Sequence, residues 1–68
     1  MHYNWEKRWS FCEKYYCEDF IISKMPAPQD GWHLEKVLRN GESKHYGTYN
    51  RFESAQHVAE DELKSRRR

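Results

Sequence analysis

Long apolar runs are missing from this sequence, and their absence limits the kinds of protein that it can encode. No run of apolar residues exceeds the length of Phe20-Ile21-Ile22. A membrane-spanning helix needs about 20 predominantly apolar residues, and a secretory signal peptide needs an apolar stretch of roughly 7–15 residues. We therefore expect no membrane association, no signal peptide and a cytoplasmic location.

Cysteine is scarce as well, since the chain contains only Cys12 and Cys17. A structural zinc site uses four ligands, usually in two closely spaced pairs, and the scattered histidines supply no second pair. Without a secretory signal, both thiols are expected to be free in a reducing compartment. This spacing predicts no metal site and no cofactor.

A strong excess of one charge is also absent, because 12 Lys and Arg residues stand against 11 Asp and Glu residues. Proteins that coat nucleic acid by bulk electrostatics usually have a plainly basic domain. A nucleic-acid site in this chain must therefore be a local patch. The end of the sequence offers one, in Arg66, Arg67 and Arg68.

The signatures of an enzyme are missing too. The sequence has no glycine-rich phosphate loop, no nucleophile elbow and no patterned pair of carboxylates. A cysteine nucleophile would need a positioned base, which only His33 or His45 could supply, and only through the folding of the chain. A chain of 68 residues also has little interior in which to desolvate a site. We expect a non-enzymatic protein without catalytic residues.

Aromatic residues, by contrast, are plentiful, and in the N-terminal part their spacing is helical. Trp5, Trp9, Cys12 and Tyr16 recur at i, i+4, i+7 and i+11, which places them on one face of a helix. This periodicity predicts a first helix over residues 5–16. A strand over residues 9–17 is the competing interpretation, but adjacent aromatic residues break its alternation.

Three strands are predicted after this helix. Phe20-Ile21-Ile22 indicates a strand within residues 18–25, and the prolines that follow it favour a loop. Asn40-Gly41 then separates two strand-like runs, residues 32–39 and 42–49, which is a strong hairpin signal. A two-residue type I′ turn at this dipeptide would place Glu35 opposite Tyr46.

This register assigns the hairpin residues to two faces. The face with Trp32 and Leu34 is the predicted core, and the other is exposed. The basic and aromatic side chains of the exposed face can contact a nucleic-acid groove or stack on bases. Glutamates at positions 35 and 42 favour the alternative of a merely solvated face. The candidate binding residues are His33, Arg39, Lys44 and Tyr46, together with Arg66, Arg67 and Arg68 of the tail.

A C-terminal helix completes the predicted fold. Asn50 is a suitable N-cap, and Glu53 follows at the spacing of a capping box. Behind it, an apolar stripe with two alanines runs to Leu63 at helical spacing, and the basic residues 64–68 are expected to fray. The expected fold class is α+β: helix, three-stranded antiparallel meander and helix (α-β-β-β-α), with both helices on one sheet face, in a single domain over residues 1–68.

Part of the chain resembles a known family. The segment Gly41–Tyr49, followed by Phe52-Glu53-Ser54-Ala55 and Ala59, is similar to the third strand and helix of two DNA-binding domains, those of plant ethylene-response factors and the arm-binding domains of phage-type integrases. The resemblance covers less than half of the chain. It implies that the exposed sheet face enters the major groove through Arg39, Lys44 and Tyr46.

The expected element order is also similar to that of double-stranded-RNA-binding domains. In that family a lysine-rich start of the last helix contacts phosphate. In this chain only Arg51 is basic at the corresponding start. The resemblance therefore implies the topology more strongly than the phosphate contact.

Two functions follow from these features. The first is a small regulatory protein, of the kind that phages or plasmids encode, which binds a partner protein or nucleoprotein complex as an inhibitor or modulator, for example of a host defence. The alternative is a DNA- or RNA-binding module that uses the exposed hairpin face and the basic tail. Balanced charge and the acidic Glu60-Asp61-Glu62 favour the first, because they give no strong phosphate attraction. A monomer and a homodimer are both compatible with this sequence.

Overall fold

A five-stranded antiparallel sheet and one helix form the part of the chain that the computed structural model describes, which is residues 3–9, 12–26 and 29–65. Each strand pairs with the next one in the chain, so the sheet is a meander. The helix follows the last strand. The elements are β1 (Glu6–Trp9), β2 (Glu13–Cys17), β3 (Phe20–Lys24), β4 (Trp32–Val37), β5 (Ser43–Tyr49) and α1 (Phe52–Ser65).

The predicted N-terminal helix is wrong, and the α-β-β-β-α architecture is wrong with it. Two paired strands, β1 and β2, lie where this helix was expected, with Lys7 opposite Tyr15. Trp, Tyr and Cys are mediocre helix formers, whereas aromatic side chains pack well on a pleated surface. Adjacent Tyr15 and Tyr16 do not disrupt the strand, because one points to each side of the sheet. Tyr15 packs on Phe52 of α1, and Tyr16 contacts Arg8.

The remaining elements lie where the sequence places them. β3 falls within residues 18–25, and β4 and β5 form the expected hairpin. The C-terminal helix is confirmed, although it begins at Phe52, where the Arg51 carbonyl accepts a hydrogen bond from Ala55 N at 3.5 Å. It continues through Lys64 and Ser65, which were expected to fray. No helix in the described part of the chain has both the length and the apolar character needed to cross a membrane.

The core lies between α1 and one side of the sheet, which we call the helix side. Phe20, Ile22 and Leu34 are fully buried there, and each contributes about 1.5–3 kcal/mol relative to an exposed position. Ala55 and Ala59 face them from α1 and have no exposed surface. Because alanine is small, the helix lies close to the sheet.

The segment before β1 is held against α1 by a polar contact. Trp5 Nε1 donates a hydrogen bond of 2.9 Å to Glu60 Oε2, and the Trp5 ring meets Phe52 edge-on at 6.3 Å. Gln56 Nε2 donates to the same carboxylate oxygen at 3.1 Å. The two ends of the described chain therefore pack together on the helix side.

The connection between β4 and β5 is a three-residue turn, so the predicted two-residue type I′ turn is wrong. Leu38 N donates to the Glu42 carbonyl at 2.7 Å, and Gly41 N donates to the Leu38 carbonyl at 2.9 Å. Arg39-Asn40-Gly41 is thus the loop, and Gly41 has a φ of 87°. A type I turn ended by a left-handed glycine is a common hairpin connection.

A β-bulge in β5 absorbs the extra residue of this turn. Near the turn Glu35 lies opposite His45, whereas farther along Leu34 lies opposite Gly47, and the register shifts between these two pairs. Tyr46 is therefore the additional residue, placed beside Gly47 against the same partner. A bulge of this kind turns two successive side chains toward one side of a sheet.

Candidate functional site: the open face of the sheet

The side of the sheet opposite α1 is called here the open face. Paired residues of antiparallel strands share a side, and successive residues in a strand alternate, so the registers assign every strand residue to a side. The one helix in the described part of the chain packs on β3, β4 and β5 from the helix side. The open face consists of Glu6, Arg8, Lys14, Tyr16, Ile21, Ser23, His33, Glu35, Val37, Ser43, His45 and Thr48.

The candidate residues from the sequence do not share one face. His33 is half-buried on the open face, whereas Lys44 and Tyr46 lie on the helix side, and Arg39 is exposed in the turn. The expected common face is wrong because the three-residue turn moves residues 43–46 by one position, and a one-residue shift reverses the side to which each points. Arg66–Arg68 lie outside the described residues.

Tyr46 is part of the packed interior rather than of an exposed face. Its ring meets the Phe20 ring edge-on, with 5.4 Å between centroids and 86° between planes. Lys44 Nζ lies 5.7 Å from the centroid of the Tyr46 ring. Lys36 is the cross-strand partner of Lys44, and we call Lys36, Lys44 and Tyr46 the hairpin-end cluster.

The open face has an aromatic and apolar centre. Tyr16 and Ile21 are half-buried cross-strand partners there, and Val37 is half-buried at the end of β4. Ser23 is only 8% exposed although α1 packs on the other side of the sheet. Its cross-strand partners are Lys14 and His33, whose larger side chains shield it.

A cation on β1 is already engaged on this face. The Arg8 guanidinium lies 4.9 Å from the centroid of the Tyr16 ring, and Arg8 Nε donates a hydrogen bond of 2.6 Å to Glu6 Oε1. The hydrogen bond and the charge of Glu6 raise the pKa of Arg8 above its ordinary value. Arg8 thus has its own counter-charge on the open face.

Two histidines meet beside this centre. His33 Nδ1 and His45 Nε2 are 3.2 Å apart, and the ring centroids are 5.2 Å apart with 65° between the planes. Glu35 is the cross-strand partner of His45 on the same side. The sequence-based register placed His45 on the core face, so this pair was not predicted.

The charges of the open face are balanced. Arg8 and Lys14 supply two positive charges, and Glu6 and Glu35 supply two negative charges. The face is therefore neutral overall when its histidines are neutral. It differs in this respect from a surface built to attract phosphate.

Most residues of the open face were not predicted from the sequence, for two reasons. Arg8, Lys14 and Tyr16 were assigned to a helix, and His45 was assigned to the wrong side of its strand. The signal that was available is the loop Arg39-Asn40-Gly41, because a glycine at its third position suits a three-residue turn as well as a two-residue one.

The thiol that is most protected from solvent does not belong to the open face. Cys17 is 5% exposed and lies on the helix side. Its burial raises the pKa of the thiol, and the charges of Glu18 and Glu60 raise it further. A thiol held neutral in this way is a poor nucleophile.

The chain matches no family model, no curated protein and no solved structure when it is compared with known proteins. Its function is therefore inferred from its own residues and their geometry.

Proposed function

We propose that this chain is a small regulatory binding protein, not an enzyme, whose open face docks on a partner protein of balanced surface charge. The observation that carries the proposal is the composition of this face. The paired Tyr16 and Ile21 form a half-buried centre, and two cations and two carboxylates lie on the same face. Bound there, the protein acts by covering a surface of its partner.

This composition resembles the general anatomy of a protein–protein interface. Such interfaces have a desolvated core enriched in aromatic residues and a polar rim. Tyrosine and arginine are frequent energetic anchors in them, and Tyr16 with Arg8 stacked on it supplies both. The rim charges then orient the partner and select against wrong ones.

The same composition counts against phosphate as the ligand of the open face. Binding to nucleic acid is driven largely by neutralising phosphates and releasing counterions. Arg8 already has Glu6 as its counter-charge at 2.6 Å, and the remaining charges cancel. A neutral partner surface with charges of both signs complements this face better than a polyanion does.

Affinity capture followed by a titration tests this proposal. The wild type and Tyr16→Glu are used as baits in extracts of the source cells, and the captured partner is purified and titrated by calorimetry. Truncating an interface anchor costs about 2 kcal/mol, a loss of about thirtyfold in affinity, and we expect at least this loss for Tyr16→Glu.

Lys44→Glu is the matched control, because it introduces the same side chain on the helix side of the sheet. It should bind within about threefold of the wild type, since peripheral charges change affinity little. Circular dichroism and thermal unfolding show that each variant is folded. Equal binding by Tyr16→Glu and the wild type would place the interface elsewhere and overturn the proposal.

Nucleic-acid binding at the hairpin-end cluster is the second candidate. Lys36 and Lys44 lie directly opposite each other, and like charges in this position repel. A phosphate group placed between them would remove this repulsion, and Arg39 in the adjacent turn would add a third cation. This arrangement favours a phosphate contact on the helix side rather than on the open face.

Fluorescence anisotropy with labelled duplex DNA and hairpin RNA separates the two candidates. Titrations are done at about 50 mM and about 200 mM salt, a range over which phosphate-driven binding weakens steeply. Docking on a protein predicts no binding at either concentration. Binding that falls with salt, and falls further in Lys36→Ala and Lys44→Ala, would support the second candidate instead.

A further inference from the structure

The histidine pair of the open face has the geometry of a chelating site. We propose that His33 and His45 together bind one divalent transition-metal ion, such as Ni²⁺, Cu²⁺ or Zn²⁺. Imidazole nitrogen is a preferred ligand of all three ions. The site needs no residue of a partner protein, because both donors belong to this chain.

The separation of the two nitrogens carries the inference. His33 Nδ1 and His45 Nε2 are 3.2 Å apart. Two nitrogens that bind one ion at about 2.0–2.1 Å are about 2.9 Å apart in a square arrangement and about 3.4 Å apart in a tetrahedral one. The observed distance lies between these values, so the spacing of the two nitrogens suits one shared ion.

The two donors are brought together by neighbouring paired strands. His33 lies in β4, which has strands on both sides, and His45 lies in β5 immediately before the bulge at Tyr46. The register that continues from the three-residue turn places His45 opposite Glu35, on the open face. A pair of ligands fixed on neighbouring strands loses little conformational freedom on binding, which favours chelation.

The proton balance of the pair is simple. With both rings neutral, one nitrogen of the pair donates to the other, so one of the two carries the hydrogen. Coordination needs the lone pairs of both nitrogens, so that hydrogen moves to the other nitrogen of the same ring and none is released.

The surroundings favour a cation and leave its coordination open. Glu35 lies on the same side as the cross-strand partner of His45, and its negative charge attracts a metal ion. The described residues contain no group of three or more His, Cys, Asp and Glu side chains placed to hold a metal ion. The two imidazoles are therefore the protein ligands, and water occupies the remaining positions.

Isothermal calorimetry with Ni²⁺ tests the site in a background that removes the other histidines and the less buried thiol. This background is the full chain with His2→Ala, Cys12→Ser and His57→Ala, so that His33 and His45 are its only histidines. We expect one Ni²⁺ per chain. Adding His33→Ala or His45→Ala should weaken binding at least tenfold, because a single imidazole cannot chelate.

Glu35→Gln is the matched control, because it removes a nearby negative charge and keeps both proposed ligands. It should weaken Ni²⁺ binding by only a few-fold. If removal of either histidine leaves the affinity of the background unchanged, the two rings do not act together and the proposal is overturned. Binding of one Ni²⁺ per chain that does not weaken tenfold when a histidine is removed would also contradict the proposed site.

An NMR titration of the wild-type protein provides a second test that needs no variant. Paramagnetic Ni²⁺ broadens the ring signals of the histidines that bind it. We expect the His33 and His45 signals to broaden together, at substoichiometric ion and before the His57 signal. Earlier or equal broadening of His57, whose ring lies 3.6 Å from Asp61 on α1, would contradict the proposed site.

Discussion

The ring of Tyr46 packs edge-on against the ring of Phe20, with 5.4 Å between their centroids. Phe20 is fully buried in the core, so Tyr46 points into the protein rather than away from it. It does so because the bulge in β5 places it on the helix side beside Gly47. The contact goes with the register that leaves Ser43, His45 and Thr48 of β5 on the open face.

Replacing Tyr46 should therefore destabilise the fold. Tyr46→Ala removes a half-buried ring and its contact with Phe20, and we expect a loss of about 2–3 kcal/mol in the free energy of unfolding. Urea denaturation measures it. Thr48→Ala, on the open face of the same strand, is the control and should lose less than about 1 kcal/mol. Similar losses for the two variants would show that Tyr46 is not packed.

The turn makes a separate prediction at Gly41. Nothing lies within 4 Å of a Cβ built on Gly41, but its φ is 87°, so the cost of a side chain comes from the backbone alone. Gly41→Ala should lose about 1–2 kcal/mol, and Gly41→Asn should lose less because asparagine tolerates this conformation. Equal stability of the wild type and Gly41→Ala would exclude a left-handed residue here.

Glu18 has a positive φ of 55° in the two-residue turn between β2 and β3. A side chain in this conformation costs about 1–2 kcal/mol, part of which glycine would lose again through the entropy of the unfolded chain. We expect Glu18→Gly to stabilise the protein by about 0.5–1 kcal/mol and to raise the melting temperature. Asp19→Gly changes the other turn residue and should not stabilise the protein. A lower melting temperature in Glu18→Gly would contradict the proposal that the backbone at Glu18 is strained.

The raised pKa of the Cys17 thiol predicts that the protein loses stability at alkaline pH. This pKa in the folded protein is raised above the ordinary value of 9.0, first by burial and then by Glu18 and Glu60. The folded state therefore holds the proton more tightly than the unfolded chain. Its contribution is complete below pH 9 and is lost as the pH rises through the folded pKa.

Urea denaturation on both sides of pH 9 measures this effect against Cys17→Ala, in which nothing titrates at that position. The free energy of unfolding should decline more steeply with pH in the wild type than in the variant. Lysines and tyrosines titrate in both proteins, so their contribution cancels in the comparison. Parallel pH profiles would mean that the Cys17 thiol is not buried.

The second half of the fold could be predicted from the sequence because its signals are local. The β-branched Ile21 and Ile22, the turn dipeptide Asn40-Gly41 and the alanine-striped helix each specify one element without reference to the rest. The boundaries of β3, β4, β5 and α1 are accordingly close to the predicted ones.

The first half could not be predicted because its aromatic spacing fits two structures. The spacing of the aromatic residues and Cys12 is also that of one helix face. In the structure this segment forms β1 and β2, because it pairs with the sheet that begins at β3. Pairing with β3 is a tertiary effect that no local pattern reports. Strand register has the same limit, since one residue in a turn exchanged the faces of Tyr46 and His45.

The side of the sheet to which Tyr46 and His45 point depends on the register of β4 and β5, and NMR distance measurements test that register directly. A NOESY spectrum of the wild-type protein should show cross-peaks between the rings of Phe20 and Tyr46, and between those of His33 and His45. Cross-peaks from Tyr46 to His33, with none from Tyr46 to Phe20, would restore the two-residue turn and contradict the open face described for this protein.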